Sequence, residues 1–240
     1  MNDYNRREFI RTSLPGFLGL TMALPAITAL ATRANACQGR PAPGGTINWD
    51  AFLEAVAKEA AKQHLDHWNE TDYLQCAAAL AHTLNLQDPA LAAAFEHTKT
   101  GLGNERIDFY DLEKRRDFQI NLLQFEQGER LRHHDHPGMT GVLLCTTGRL
   151  QTDNYDLLER RESGSFLLRQ SASEILEKGT VSTLTSHERN IHRVEALDLC
   201  QVIDIFAPPY DPQRSAKSTF FNVDPEPFKG KQGLFEATLA

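Results

Sequence analysis

His134 and His136 stand one residue apart in the run Arg132-His133-His134-Asp135-His136-Pro137-Gly138. On a β-strand, residues two apart share a face, so this spacing projects the two imidazoles together and turns Asp135 away. Two convergent neutral imidazoles make half of a transition-metal site. A lone His-x-His pair would look the same if both rings were merely hydrated, but the surroundings here are more restrictive. Gly128, five residues, His134, one residue, His136, four residues, Gly141, six residues and Gly148 form a regular frame. His133 is expected to point outward, opposite to His134. Arg130 and Arg132 are either solvated or available to a substrate carboxylate. His64, His67, His82 and His97 fall in a helical region and are assigned no chemical task.

The frame resembles the first motif of the cupins, G-x5-H-x-H-x(3,4)-E-x6-G, with Gly141 where most cupins carry a metal-ligating glutamate. Three separated blocks narrow the resemblance: His134-Asp-His-Pro-Gly-Met-Thr-Gly141, Asn190-Ile191-His192, and Ile203-Asp204-Ile205-Phe206-Ala207-Pro208-Pro209-Tyr210. They look like the signature blocks of the thiol dioxygenases that include cysteamine dioxygenase and the plant cysteine oxidases. The likeness spans about residues 118–223, with Thr219-Phe220-Phe221 near its end.

The resemblance implies one mononuclear non-haem Fe(II) per chain, held by His134, His136 and His192, the last lying 56 residues beyond His136. It implies a small thiol or N-terminal cysteine and O2 as substrates, and a sulfinic acid as product. A thiol entering as thiolate would supply the anionic ligand that the protein omits, since metal coordination deprotonates a thiol. Glycine at position 141 implies free space beside the metal for substrate or O2, and rules out there the Cys–Tyr crosslink of some cysteine dioxygenases. By the same resemblance Asp204 lies near the pocket and orients the substrate or a supporting partner, and Tyr210 supports the loop over the site. Alternation alone leaves Asp204 either solvent-facing or interior, and leaves Tyr210 equally a packed aromatic after a Pro-Pro turn. Ser186-His187-Glu188-Arg189 departs from the Pro/Gly-rich approach usual before the third histidine, which leaves that loop's shape open. The alternatives are a cupin of another class, a lyase or non-thiol dioxygenase using another metal, and a non-catalytic metal-binding sensor. An intact triad favours an enzyme.

The elements that must carry these residues are readable from period. Residues 46–103 read as helical: Trp49, Phe52, Leu53, Val56 and Ala60 recur at helical spacing, a second helix runs near 73–84, and Asp88-Pro89 is an N-cap followed by proline at the first helical position. Residues 104–225 are short apolar runs separated by turn residues, the pattern of an antiparallel barrel or jelly roll. The fold expected is therefore mainly β, a cupin double-stranded β-helix (jelly-roll barrel) preceded by a small helical N-terminal section, with residues 226–240 as a C-terminal tail.

Residues 1–36 stand apart. Asn5-Arg6-Arg7-Glu8-Phe9-Ile10-Arg11, an apolar stretch over 14–31 and Ala34-Asn35-Ala36 follow the order of an export signal, and the paired arginines resemble the twin-arginine address read by its own export machinery. Pro15, Gly16 and Pro25 make the apolar stretch a poor spanning helix, so no stable membrane anchor is expected. Residues 37–45 read as a linker. Cleavage after Ala36 gives a periplasmic protein beginning at Cys37, which leaves a lipoprotein acylated on that thiol as the lesser alternative. Of the 240 residues, with 25 basic and 32 acidic side chains, this removes four basic and two acidic, leaving 204 residues at a formal charge of −9. So acidic a chain lacks the clustered basic surface that nucleic-acid binding requires. Cys76, Cys145 and Cys200 complete the cysteines, with no spacing that favours a pairing; Cys145 and Cys200 lie on apolar runs and read as buried thiols. The oligomeric state is not specified by the sequence.

Overall fold

A computed structural model describes residues 45–101, 107–210 and 217–240. The expected signal at 1–36, the linker to residue 44 and Cys37 lie outside the described residues. Among those described, no helix is long and apolar enough to cross a membrane.

Three helices come first: α1 (Trp49–Ala60), α2 (Glu70–Thr83) and α3 (Pro89–Gly101). Each begins where a side chain satisfies an orphan amide. Asn48 accepts from Ala51 N at 2.9 Å, Asn69 from Asp72 N at 3.0 Å and Asp88 from Ala90 N at 3.0 Å. Eleven strands follow among the described residues: β1 (Asp108–Lys114), β2 (Gln119–Phe125), β3 (Arg130–His134), β4 (Thr140–Thr147), β5 (Arg149–Arg160) and β6 (Phe166–Glu177). The rest are β7 (Val181–Leu184), β8 (Ile191–Ala196), β9 (Cys200–Ala207), β10 (Phe221–Val223) and β11 (Leu234–Leu239). They form two antiparallel sheets, ordered β1-β2-β9-β4-β7 and β10-β11-β6-β5-β8-β3. This is the expected mainly β, two-sheet jelly-roll plan with helices at its N-terminal side.

The central strands of the five-stranded sheet, β2, β9 and β4, are buried on both faces, while the edge strand β1 is largely exposed. Ile120 and Leu122 of β2, Val142 and Leu144 of β4, and Ile203 and Ile205 of β9 pack under Phe52, Val56, Leu80 and Leu91 of the helices. The alternate residues Leu123, Leu143, Cys145 and Val202 face the lumen, meeting Leu150, Leu176 and Val194 of the other sheet. Cys145 and Cys200 are free and buried in that inner cluster, their sulfurs 4.0 Å apart.

Residues 226–240 are not a tail. β11 pairs with β6, Phe235 opposite Leu168 and Ala237 opposite Phe166, and also with β10. Phe235 and Ala237 pack with Tyr155, Phe166 and Phe221. A six-residue strand whose partners are distant in sequence carries too little local pattern to be recognised alone.

Candidate metal centre

β3 and β8 run side by side with His134 directly opposite His192. Cross-strand partners bring their Cβ atoms to about 4.5–5.5 Å, so this pairing fixes two of the rings. His136 lies beyond the end of β3, in the turn before β4, and strand alternation is not what brings it inward. Asn190 does that: its Oδ1 accepts from His136 N at 2.9 Å, and its Nδ2 donates to His136 O at 3.0 Å and to Thr185 O at 2.6 Å. Asn190 opens one of the motif blocks, but nothing in its type or spacing distinguished this clamp, because an asparagine there reads equally well as a turn residue.

The three rings meet in a buried cluster. His192 Nε2 lies 3.0 Å from His136 Nε2 and 3.3 Å from His134 Nε2. His134 Nδ1 is 2.7 Å from the carbonyl oxygen of Arg132, which can only accept, so that nitrogen carries the proton and Nε2 presents its lone pair to the cluster. The Tyr210 hydroxyl sits 2.5 Å from His136 Nδ1, leaving His136 Nε2 for the cluster. Burial lowers the affinity of all three rings for a proton, most strongly at His136 and His192, where neighbouring histidines add to the effect. Neutral imidazoles with converging lone pairs repel unless a cation stands between them. These residues therefore fit a metal ion with three neutral nitrogen ligands.

A bulge between Leu131 and His134 changes the parity of β3. Leu131 and His134 consequently both line the interior, while Arg130 and Arg132 are exposed. Arg132 lies over the ring of Phe220, 5.4 Å from its centroid, and Phe220 in turn stacks on His134. Neither arginine lines the cavity. His133 departs from expectation: it is half-buried against Tyr155, and burial together with Arg193 pushes its pKa down to about 4. His64 instead bonds Asp117, and His82 bonds the carbonyl of Gly179.

The space expected beside Gly141 is filled. A Cβ on Gly141 would lie 2.6 Å from Cε1 of Phe206, whose ring stacks on His136 with centroids 4.6 Å apart. The void left there, between Gly141, His192, Asp204 and Phe206, is only about 10 Å³, too small to hold a substrate. The glutamate of other cupins has thus been exchanged for an aromatic ring, not for room. Open volume lies elsewhere beside the triad, a cavity of about 330 Å³ bounded by Leu123, Leu131, Leu143, Val194 and Phe220.

Asp204 is interior and lines this cavity with the histidines. Its neighbours Ile203 and Ile205 point to the helices, so both faces of β9 are buried and alternation could not assign a side. Burial raises its carboxyl well above the usual carboxylate range. The Tyr210 ring packs with Met139, Leu184 and Phe206, and its hydroxyl meets His136 Nδ1, a contact that the sequence did not suggest. The loop before His192 is a tight turn in which Thr185 Oγ1 accepts from Glu188 N at 2.7 Å, while Ser186 is anchored to the Glu70 carboxylate at 2.7 and 2.5 Å. His187 is exposed on it.

Residues 76–237, two thirds of the chain, match the family model described as PCO_ADO. The chain belongs to the PCO_ADO family. This is a thiol dioxygenase family of the cupin superfamily. The 2-aminoethanethiol dioxygenase of Mus musculus is 27% identical over 137 residues, covering 48% of this chain and 53% of that protein. Its Homo sapiens counterpart is 26% identical over 144 residues, covering 50% and 53%. A protein of Dictyostelium discoideum named probable 2-aminoethanethiol dioxygenase is 26% identical over 128 residues, covering 50% and 58%. The chain thus spans little more than half the length of these curated relatives. Among solved structures, KdgF from Halomonas sp. is similar with 17% identity and a TM-score of 0.36, over 46% of this chain and 88% of that one.

Proposed function

We propose that this PCO_ADO family member is an Fe(II)-dependent thiol dioxygenase that adds both atoms of O2 to the sulfur of a small thiol or an N-terminal cysteine, giving a sulfinic acid. The observation that carries the reading is the triad of buried neutral imidazoles with Nε2 atoms 3.0 and 3.3 Å apart, in a chain of this family. His134, His136 and His192 would hold one iron per chain. When bound, the metal would supply the Lewis acidity that makes a thiol a thiolate and would carry to O2 the four electrons that the sulfur gives up on becoming a sulfinate.

The chain's own groups prepare that chemistry. The Arg132 carbonyl and Tyr210 hydroxyl fix the orientation of two ligand rings. Leu123, Leu131, Leu143 and Val194 put an apolar wall beside them, and low polarity on that side strengthens electrostatic interaction with a thiolate. Burial raises the Asp204 carboxyl well above the usual carboxylate range, and in its protonated form it can donate a hydrogen bond toward the reacting sulfur or oxygen. Asp204 and Tyr210 are therefore the catalytic groups proposed beyond the ligands. The name shared by the curated relatives makes 2-aminoethanethiol the first substrate to test.

The test is direct. Iron-loaded protein given 2-aminoethanethiol, cysteine or a Cys-initiated peptide should consume about one O2 per sulfinate formed, and His192→Ala protein should not. Absence of turnover with every thiol, at full iron occupancy, overturns the activity.

We also propose that residues 1–36 direct export by the twin-arginine route and that the mature protein is periplasmic. The Arg6-Arg7 pair and the small-residue Ala34-Asn35-Ala36 site support this, and Cys76 is disulfide-bonded, which suits an oxidising compartment. Replacing both Arg6 and Arg7 by Lys should retain the uncleaved chain in the cytoplasm; unchanged fractionation would refute the route.

A further inference from the structure

The cavity beside the triad has a second wall. Odd-numbered residues of β2 face the lumen, and the register sets Asn121 opposite Asp204 of β9 on one side and opposite Asp111 of β1 on the other. Asp204, Asn121 and Asp111 thus form one polar row across three neighbouring strands, from the side of the histidines out to an edge strand. Gln119, the next lumen-facing position, donates its Nε2 to Asp111 Oδ1 at 3.1 Å and to Asn121 Oδ1 at 3.0 Å. Those bonds hold the Asp111 carboxylate in place and leave Gln119 Oε1 buried with no partner.

Gln119 and Asn121 are buried polar residues beside the apolar inner cluster of Leu123, Phe125, Leu143 and Val194. Packing alone would favour apolar side chains at both positions, since burying amides costs free energy unless they are hydrogen-bonded. The cavity lining includes Asp111 and Asp204 and, among the described residues, no Lys or Arg. The arginines nearest the ligands in sequence, Arg130 and Arg132, point outward. With the Asp204 carboxyl raised by burial, the negative charge of this wall lies at Asp111, exposed at its outer end, and the wall is the complement of an ammonium group.

We propose that Asp111, held by Gln119 and flanked by Asn121, binds the ammonium end of the thiol substrate and sets a preference for amine-bearing thiols over neutral or carboxylate-bearing ones. The inference rests on the thiol dioxygenase reading above and assigns the discrimination to this wall. A carboxylate placed there would face Asp111 with no Lys or Arg among the described lining residues to offset it.

The experiment is equilibrium binding under argon, by calorimetry, to iron-loaded full-length protein of equal metal content. The ligands are 2-aminoethanethiol, 3-aminopropanethiol, 2-mercaptoethanol and 3-mercaptopropionate. Asp111→Asn should weaken the aminothiols roughly tenfold, as loss of a charge-assisted hydrogen bond predicts, and change 2-mercaptoethanol less than about twofold. Asp111→Lys should bind 3-mercaptopropionate more tightly than either aminothiol. Equal effects on charged and neutral thiols, or no effect on any, overturn the assignment while leaving thiol binding by the wild type intact. A wild type that holds iron but binds no thiol overturns the underlying reading, and this inference with it.

Discussion

Gly141 shows how much one missing side chain can decide. Its hydrogen lets the Phe206 ring lie against His136, and any Cβ there would enter that ring. Gly141→Ala should therefore destabilise the protein by about 1–3 kcal/mol through overpacking, measured by denaturant melts, and adding Phe206→Leu should recover most of the loss. If the single variant melts like the wild type, the ring is not what fills the slot. Asp204 gives a pH signature. Burial raises its folded pKa above the unfolded value of about 3.9, so between the two the native state binds the extra proton. Stability of the metal-free protein then falls as pH rises through that window. Asp204→Asn has no such proton to lose: it should melt above metal-free wild type at pH 7 and converge with it near pH 3.5, below both values. A constant offset at all pH values would contradict a raised Asp204. The carboxyl at 204 and the three imidazoles at 134, 136 and 192 could be named from motif blocks, but the side on which Asp204 lies could not, because both faces of β9 are covered.

At the scale of elements, the bulge in β3 and the turn after it matter more than strand alternation. Strict alternation would put Arg130, Arg132 and His134 on one face; the bulge reverses parity between Leu131 and His134, keeping the arginines in solvent and the imidazole inside. A single-residue irregularity of this kind depends on the partner strand β8, and that partner is not visible in the local sequence. The same holds for Asn190, which ties the turn carrying His136 to the loop preceding His192. Asn190→Ala removes bonds to His136 N, His136 O and Thr185 O. It should weaken metal binding about 10–100-fold, the usual cost of losing a partner that supports a ligand, and lower stability by about 1–3 kcal/mol. Metal titration and melts of the same preparation check both; an unchanged affinity would reduce Asn190 to a turn residue.

For the whole molecule, the triad joins the six-stranded sheet, through β3 and β8, to the turn entering β4 of the other sheet. An ion held there binds the native state and not the unfolded chain, so at a free concentration near a hundred times its Kd it stabilises by about 2.7 kcal/mol. That corresponds to roughly 5–10 °C in melting temperature for a protein of this size. Chelation should remove that increment, anaerobic Fe(II) should restore it, and His192→Ala protein should respond to neither; a melt indifferent to metal in the wild type would argue against a resident ion. The sequence by itself determined the class of fold, the helical and strand regions and the His134–His136 pair, because period and motif spacing are local properties of the chain, while His192 was implied by the family resemblance. Only the tertiary structure decided that residues 226–240 complete a sheet, that Phe206 occupies the place of the absent carboxylate, that the open cavity lies toward β1 and β2, and that its far wall carries Asp111, Gln119 and Asn121. Each of these depends on strand pairing between residues distant in the chain, and on central strands buried on both faces, where alternation marks two sides without saying which one faces the metal.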